Sequence, residues 1–186
     1  MVNGGACALS VLTASDDFNG KLENLKLIAQ RFPIPVLMKD IIVSPHQLRA
    51  GSDLGADAVV LISEVFTRGL GEVGLDEMIE ESSTLALEVL VEANSPREFE
   101  SLSLHDVDLC GINNRDLSTF QVELSRTEEI LAKTNRPDAP VVSESGIESG
   151  EDVRRLRRAG AKAFLIGTSV MRAANVQEKV RELVGA

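Results

Sequence analysis

The sequence predicts an α/β fold in the form of a closed parallel barrel, and three observations lead there. Short apolar runs alternate with helix-periodic segments along the whole chain. The runs lack a clean polar/apolar alternation, as expected of parallel strands covered on both faces. Charged or amide residues follow run after run. A barrel gathers many strand ends around one mouth, whereas an open doubly wound sheet concentrates its site near one switch point.

In chain order, strands are predicted over residues 6–12, 35–38, 58–62, 87–91, 107–112, 141–142 with their flanks, and 163–166. Between them, Leu22, Leu25, Ile28, Ala29 and Phe32, or Val153, Leu156 and Ala159, place apolar groups on one face of a helix. Helix starts are marked at Ser44-Pro45-His46-Gln47 and Ser95-Pro96-Arg97-Glu98. There Ser caps, Pro fits the first helical position, and Gln or Glu can close a capping box. Gly5-Ala6-Cys7-Ala8, Gly55-Ala56-Asp57-Ala58 and Gly160-Ala161-Lys162-Ala163 form a weak repeat, each glycine ending a helical stretch before a strand.

No linker or low-complexity stretch divides the 186 residues, so a single domain over 1–186 is expected. A net charge of −10 argues against a nucleic-acid partner, because phosphate backbones are bound through clustered Lys and Arg. No apolar run approaches the roughly 20 residues needed to cross a bilayer. The start, Met1-Val2-Asn3-Gly4-Gly5, lacks the basic and apolar pattern of a signal peptide, so a cytoplasmic location is expected. Cys7 and Cys110 sit in apolar runs without metal-ligand spacing and are expected to be buried, reduced thiols.

The polar residues at the strand ends are the candidate chemistry. Lys39 ends the run Pro35-Val36-Leu37-Met38 and can act as a general acid toward a substrate carbonyl; a solvated cap, or an ion pair with Asp40, is equally open. Glu92 and Asn94 share one side of their strand, with Glu92 either an acid/base group or half of a salt bridge. Asn113, Asn114, Arg115 and Asp116 follow Gly111-Ile112, where polar groups must face solvent or ligand. Arg115 suits phosphate or carboxylate, and Asp116 reads as a helix cap or its ion-pair partner. Glu144-Ser145-Gly146 and Gly167-Thr168-Ser169 offer hydroxyls and close backbone approach on the last two strands, where such barrels commonly bind phosphate.

These motifs resemble, in order, those of indole-3-glycerol phosphate synthase of tryptophan biosynthesis. They are Ala8-Leu9-Ser10-Val11-Leu12-Thr13, Pro35-Val36-Leu37-Met38-Lys39-Asp40, Glu92-Ala93-Asn94, Gly111-Ile112-Asn113-Asn114-Arg115-Asp116-Leu117, Ser143-Glu144-Ser145-Gly146-Ile147 and Phe164-Leu165-Ile166-Gly167-Thr168-Ser169-Val170-Met171. The resemblance implies a (β/α)8, or TIM, barrel that closes the indole ring of 1-(2-carboxyphenylamino)-1-deoxyribulose 5-phosphate, releasing carbon dioxide and water with no metal or organic cofactor. It implies Lys39 as general acid, Glu92 as an acid/base carboxylate, Asn94 and Asn113 as polar contacts, and Glu144 and Arg115 as further site residues. Ser145, Gly146, Gly167 and Thr168 fall where the family holds substrate phosphate, and Phe18 where it faces the anthranilate ring.

The departures are also specific. The family's first-strand segment of the type Glu-x-Lys-x-x-Ser-Pro has no match, so residues 6–12 count as the second strand and residues 1–5 as the tail of the helix before it. A barrel without its N-terminal extension and first strand, with seven strands present, is therefore expected, and little or no synthase activity from this chain alone. Ala14 stands where an acidic residue is usual and Ile41 where an aromatic is common. The alternatives are a catalytically inactive barrel remnant that self-associates through open strand edges, and another phosphate-binding barrel such as a phosphoribosylanthranilate isomerase relative.

Overall fold

The computed structural model describes residues 1–15, 19–116, 119–135 and 138–186. They pack as two compact units: Cys7–Glu92 with His105–Leu109, and Met1–Ala6 with Ala93–Leu104 and Cys110–Ala186. Seven strands alternate with helices and pair in parallel within each unit, the arrangement of a TIM-like barrel.

The first of these units contains β1 (Leu9–Leu12), α1 (Leu22–Arg31), β2 (Val36–Lys39), α2 (Pro45–Asp53), β3 (Ala58–Ile62), α3 (Ser63–Thr67), α4 (Leu75–Thr84) and most of β4 (Glu88–Ala93). Its strands lie in the order β1-β2-β3-β4. Coverage of both faces holds for β3 and β4, where Val59, Val60, Leu61 and Val89 through Ala93 are all buried. It does not hold for β1. Leu9 and Val11 are buried on the side that α1 covers, whereas Ser10 and Leu12, register partners of Leu37 and Lys39, face the other way and are exposed. Strand β1 also starts later than residue 6, which leaves Cys7 exposed ahead of it rather than buried; Cys110 is buried as expected.

Carboxylates close the starts of two strands. Asp57, just before β3, accepts the Val36 N–H at 2.8 Å, and Asp108 accepts that of Val89 at 2.8 Å. Each satisfies a backbone donor that the strand ladder cannot reach.

The second unit holds a 3-10 turn (Val2–Gly4), α5 (Pro96–Ser101), β5 (Leu109–Asn113, from Cys110 onward), α6 (Ser125–Lys133), β6 (Val141–Glu144), α7 (Gly150–Ala159), β7 (Ala163–Leu165), α8 (Thr168–Arg172) and α9 (Val176–Val184). Strand order is β5-β6-β7. Ile147, Val153, Leu156, Ala161, Val170, Val180 and Leu183 form its core. The 3-10 turn packs on α9 so closely that a Cβ on Gly4 would lie 2.8 Å from the Gln177 carbonyl.

Helix starts follow the sequence signals with one change. Ser44 and Gln47 form a complete capping box. Ser95 caps α5 by accepting the Glu98 N–H, but the Glu98 carboxylate takes the Asn94 N–H at 2.9 Å, one residue earlier than a box requires. Ser149 and Asp152 form a second box that the sequence reading did not single out. Gly5, Gly55 and Gly160 all take positive φ, which fits their role in the repeat.

Candidate active site

In the unit that contains β1 to β4, two strand ends converge. Lys39 is the last residue of β2, and Glu92 lies near the end of β4, opposite Ile62 of β3. The Lys39 Nζ donates to Glu92 Oε2 at 3.1 Å. The carboxylate is almost fully buried, with 2% of its side chain exposed, while the lysine side chain keeps 25%. A buried carboxylate would be costly without such a partner. The pair places a proton donor and an acceptor within one hydrogen bond of each other, with the donor open to solvent or substrate. Asp40, the alternative partner for Lys39, is engaged instead by the Thr13 hydroxyl at 2.6 Å and the Ile41 N–H at 2.8 Å. Thr13 also donates its own N–H to the Lys39 carbonyl at 3.1 Å, which fixes the backbone on which the lysine is mounted.

In the other unit, the ends of β5, β6 and β7 carry the remaining candidates. Asn113 and Glu144 are register partners, both buried. Asn113 Oδ1 accepts the Arg115 N–H at 2.9 Å. The chain then folds back: Arg115 bridges to Val122, and its guanidinium donates to the Phe120 carbonyl at 3.2 Å. Asp116 accepts from the Thr119 N–H and from Arg126, so it organises this loop. Asn94 stands out because both polar atoms of its side-chain amide are buried with no hydrogen-bond partner among the described residues. An unsatisfied buried amide costs about 1–3 kcal/mol and so calls for a partner that the described residues do not supply.

Ser145 and Gly146 follow Glu144 with φ of 68 and 78, two left-handed residues in succession. Val122 lies directly over Gly146, where an added Cβ would come within 2.3 Å of its Cγ1. Gly167, just before α8, and Thr168, the first residue of α8, are exposed, and a Cβ on Gly167 would meet nothing within 4 Å. The Ser169 hydroxyl donates to the Ile147 carbonyl at 2.8 Å, tying the turn after β7 to the segment after β6. Phe18 lies outside the described residues.

The sequence reading gave Thr127 and Ser143 no role and expected Asn114 to face solvent or ligand, whereas all three are turned into the protein. Asn114, Thr127 and Ser143 are fully buried and bonded to one another. A signal was present, since Ser143 interrupts an apolar strand and Asn114 alternates with Asn113, but polar residues on the helix side of a strand carry no motif of their own.

A sequence model of the indole-3-glycerol phosphate synthase family matches residues 1–183. The chain belongs to this family. Membership decides against an isomerase relative and makes the protein a member of a family of decarboxylating carboxy-lyases of tryptophan biosynthesis. Among similar indole-3-glycerol phosphate synthases, that of Desulforamulus reducens is 40% identical over 182 residues, covering 98% of this chain and 67% of the relative. That of Koribacter versatilis is 41% identical, with 97% and 68% covered, and that of Methanopyrus kandleri 39%, with 98% and 70%. A solved structure described as native KDPGal superposes with a TM-score of 0.68 at 13% identity, over 99% of this chain and 82% of that one, a likeness of fold alone. No helix among the described residues is long and apolar enough to cross a membrane.

Proposed function

We propose that this member of the synthase family supplies the acid/base pair and the phosphate cradle for decarboxylating ring closure of 1-(2-carboxyphenylamino)-1-deoxyribulose 5-phosphate to indole-3-glycerol phosphate, in the cytoplasm, from a single (β/α)8-type domain in which its seven strands follow the family's first. The observation that carries the reading is the Lys39–Glu92 contact at 3.1 Å.

The reaction needs a proton delivered to the substrate ketone oxygen as the aromatic ring carbon attacks the carbonyl carbon. Carbon dioxide then leaves as the ring carboxylate's electrons return to the ring, and water leaves as the indole forms. The Lys39 ammonium has the proton to give, and Glu92 holds it in place and is a base for the proton that must later be removed. Asn94 carries the unfilled hydrogen-bonding capacity that a polar substrate would take up. Ser145, Gly146, Gly167 and Thr168 hold the phosphate, and Arg115, Asn113 and Glu144 line the approach to it.

The family's Glu-x-Lys-x-x-Ser-Pro segment is not among these 186 residues. The test is therefore made on the chain as it stands and on the same chain extended at its N-terminus by such a segment, following the appearance of indole fluorescence from the substrate. Turnover in the extended chain that Lys39→Met lowers by about a hundredfold or more supports the reading. Turnover indifferent to Lys39→Met overturns it.

A further inference from the structure

We propose that Asn114, Thr127 and Ser143 form a closed hydrogen-bonded ring that aims the Ser145–Gly146 peptide at the substrate phosphate, making Asn114 a positioning residue of the synthase. The proposal rests on the phosphate reading of Ser145 and Gly146 given above.

Asn114 follows Asn113 on the chain and points the opposite way, toward α6, with no exposure. Its amide has two donor and two acceptor positions, and all four are filled. Nδ2 reaches Ser143 Oγ at 3.1 Å and the Ser145 carbonyl at 3.1 Å. Oδ1 accepts the Thr127 N–H at 3.2 Å and lies 2.8 Å from Thr127 Oγ1. Two of these partners are backbone groups of fixed sense, a carbonyl and an N–H, so the orientation of the amide is settled without appeal to hydroxyl rotors.

The direction of every remaining proton follows. Since Oδ1 can only accept, the Thr127 hydroxyl gives its one proton there. The Thr127–Ser143 contact at 2.8 Å must then be donated by Ser143, whose oxygen in turn accepts from Asn114 Nδ2. The ring runs in one sense, from Asn114 to Ser143 to Thr127 and back. Such a chain polarises each of its bonds, and inside the protein it has no water to compete with.

The consequence lies one bond outside the ring. Asn114 Nδ2 holds the carbonyl of Ser145, and in a trans peptide the N–H of the next residue points opposite to that carbonyl. The Gly146 N–H is thereby turned away from the helix side of the sheet, toward the face that Asn113 occupies. Ser145 has no glycine's freedom, and its left-handed φ of 68 is a strained conformation for an L side chain. The bond from Asn114 offsets that strain and keeps the peptide from flipping. Asn114 also accepts the Glu123 N–H through its own carbonyl and donates to that of Glu144, so the ring is anchored to β6 and to the loop that carries Val122.

The test follows the Gly146 backbone amide by NMR in the 15N-labelled chain during titration with inorganic phosphate. In the unaltered protein this signal should move and saturate. Thr127→Ser keeps the ring and should leave the affinity unchanged, which a role in packing the Thr127 methyl would not predict. Asn114→Ser should weaken phosphate about tenfold, and Ser143→Ala and Thr127→Val about threefold each, at a temperature where every variant is folded by its amide dispersion. Should Asn114→Ser fail to fold, the two volume-conserving variants decide. Asn114→Ser, Ser143→Ala and Thr127→Val proteins that are folded and bind phosphate like the parent overturn the positioning role while leaving the phosphate site intact. A Gly146 amide that ignores phosphate in the parent protein overturns both.

Discussion

Gly146→Ala should destabilise the protein by two separable amounts, and Val122→Ala should recover only one of them. The added Cβ would sit 2.3 Å from Val122 Cγ1 and 3.4 Å from Leu124 Cδ2. Carbon atoms pack at roughly 3.5–4.0 Å, so the Val122 methyl must retreat by more than about 1 Å, an overpacking cost of about 1–3 kcal/mol. Independently, alanine must adopt φ of 78, which costs about 1 kcal/mol. The single variant should therefore lose about 2–4 kcal/mol. Val122 is itself 38% exposed, so Val122→Ala alone should be mild. In the double variant the steric part disappears and about 1 kcal/mol of backbone strain remains, giving a favourable coupling of about 1–3 kcal/mol in the mutant cycle. Urea unfolding of the four proteins, monitored by far-UV circular dichroism, measures it. If the two substitutions are additive, Val122 does not sit on Gly146 in the way described and the reading is refuted.

Four further outcomes are expected. Glu92→Gln, assayed in the extended chain, should lower turnover by about a hundredfold or more, as Lys39→Met does, and the double variant should be scarcely slower than either single one because the two groups act as a unit. Asn113→Asp keeps an oxygen to accept the Arg115 N–H and should show mainly in the kinetics, whereas Asn114→Asp removes both Nδ2 donors from a fully buried site and should lower the urea midpoint sharply. Burial pushes the Cys110 thiol up to about 11, so at pH 8 a disulfide reagent should modify exposed Cys7 quickly and Cys110 only on unfolding; Cys7→Ser should abolish the fast phase. The fork of Arg155 on Glu128, at 2.8 and 2.6 Å, holds that carboxyl below its ordinary value of 4.5. Its contribution is present above that value and lost as pH falls through the lower folded one, so Arg155→Met should differ slightly from the parent in thermal midpoint at pH 7 and converge with it in acid.

The strands and most helix starts were legible because they rest on local rules. Apolar runs between turn signals gave all seven strands to within a few residues. Ser44, Pro45 and Gln47 gave a cap because the hydrogen bonds involved span only three residues. Long-range pairing was not legible in the same way. That Lys39 would choose Glu92 over its neighbour Asp40 depends on Thr13, 27 residues before Asp40, having already claimed that carboxylate. Likewise the exposure of Ser10 and Leu12 depends on which side of β1 is covered, not on their own chemistry, and the late start of β1 exposes a cysteine that composition would bury. The buried ring of Asn114, Thr127 and Ser143 was not legible as a unit for a related reason. Its members are 13 to 29 residues apart, and each alone looks like an ordinary polar residue at the end of a strand or helix.

Strand alternation explains why adjacent asparagines can have different duties in this enzyme. At the end of β5, Asn113 turns to the side where Glu144 is its register partner and where the Arg115 backbone returns, and Asn114 turns to α6. One residue of rise separates a side chain that caps the Arg115 backbone from one that joins the buried ring, so neither can be moved without moving the other. Glu144 and Ser145 show the same division on β6: the carboxylate lies on the strand, and the next carbonyl is taken from behind by Asn114. A loop with two left-handed residues in succession would flip readily if it depended on its own turn chemistry. The ring of Asn114, Thr127 and Ser143, which has no spare donor, fixes it from the helix side and leaves the opposite side of the peptide uncovered by these groups. The polar groups most deeply buried in this unit are thus the ones that keep its exposed turn in a single conformation.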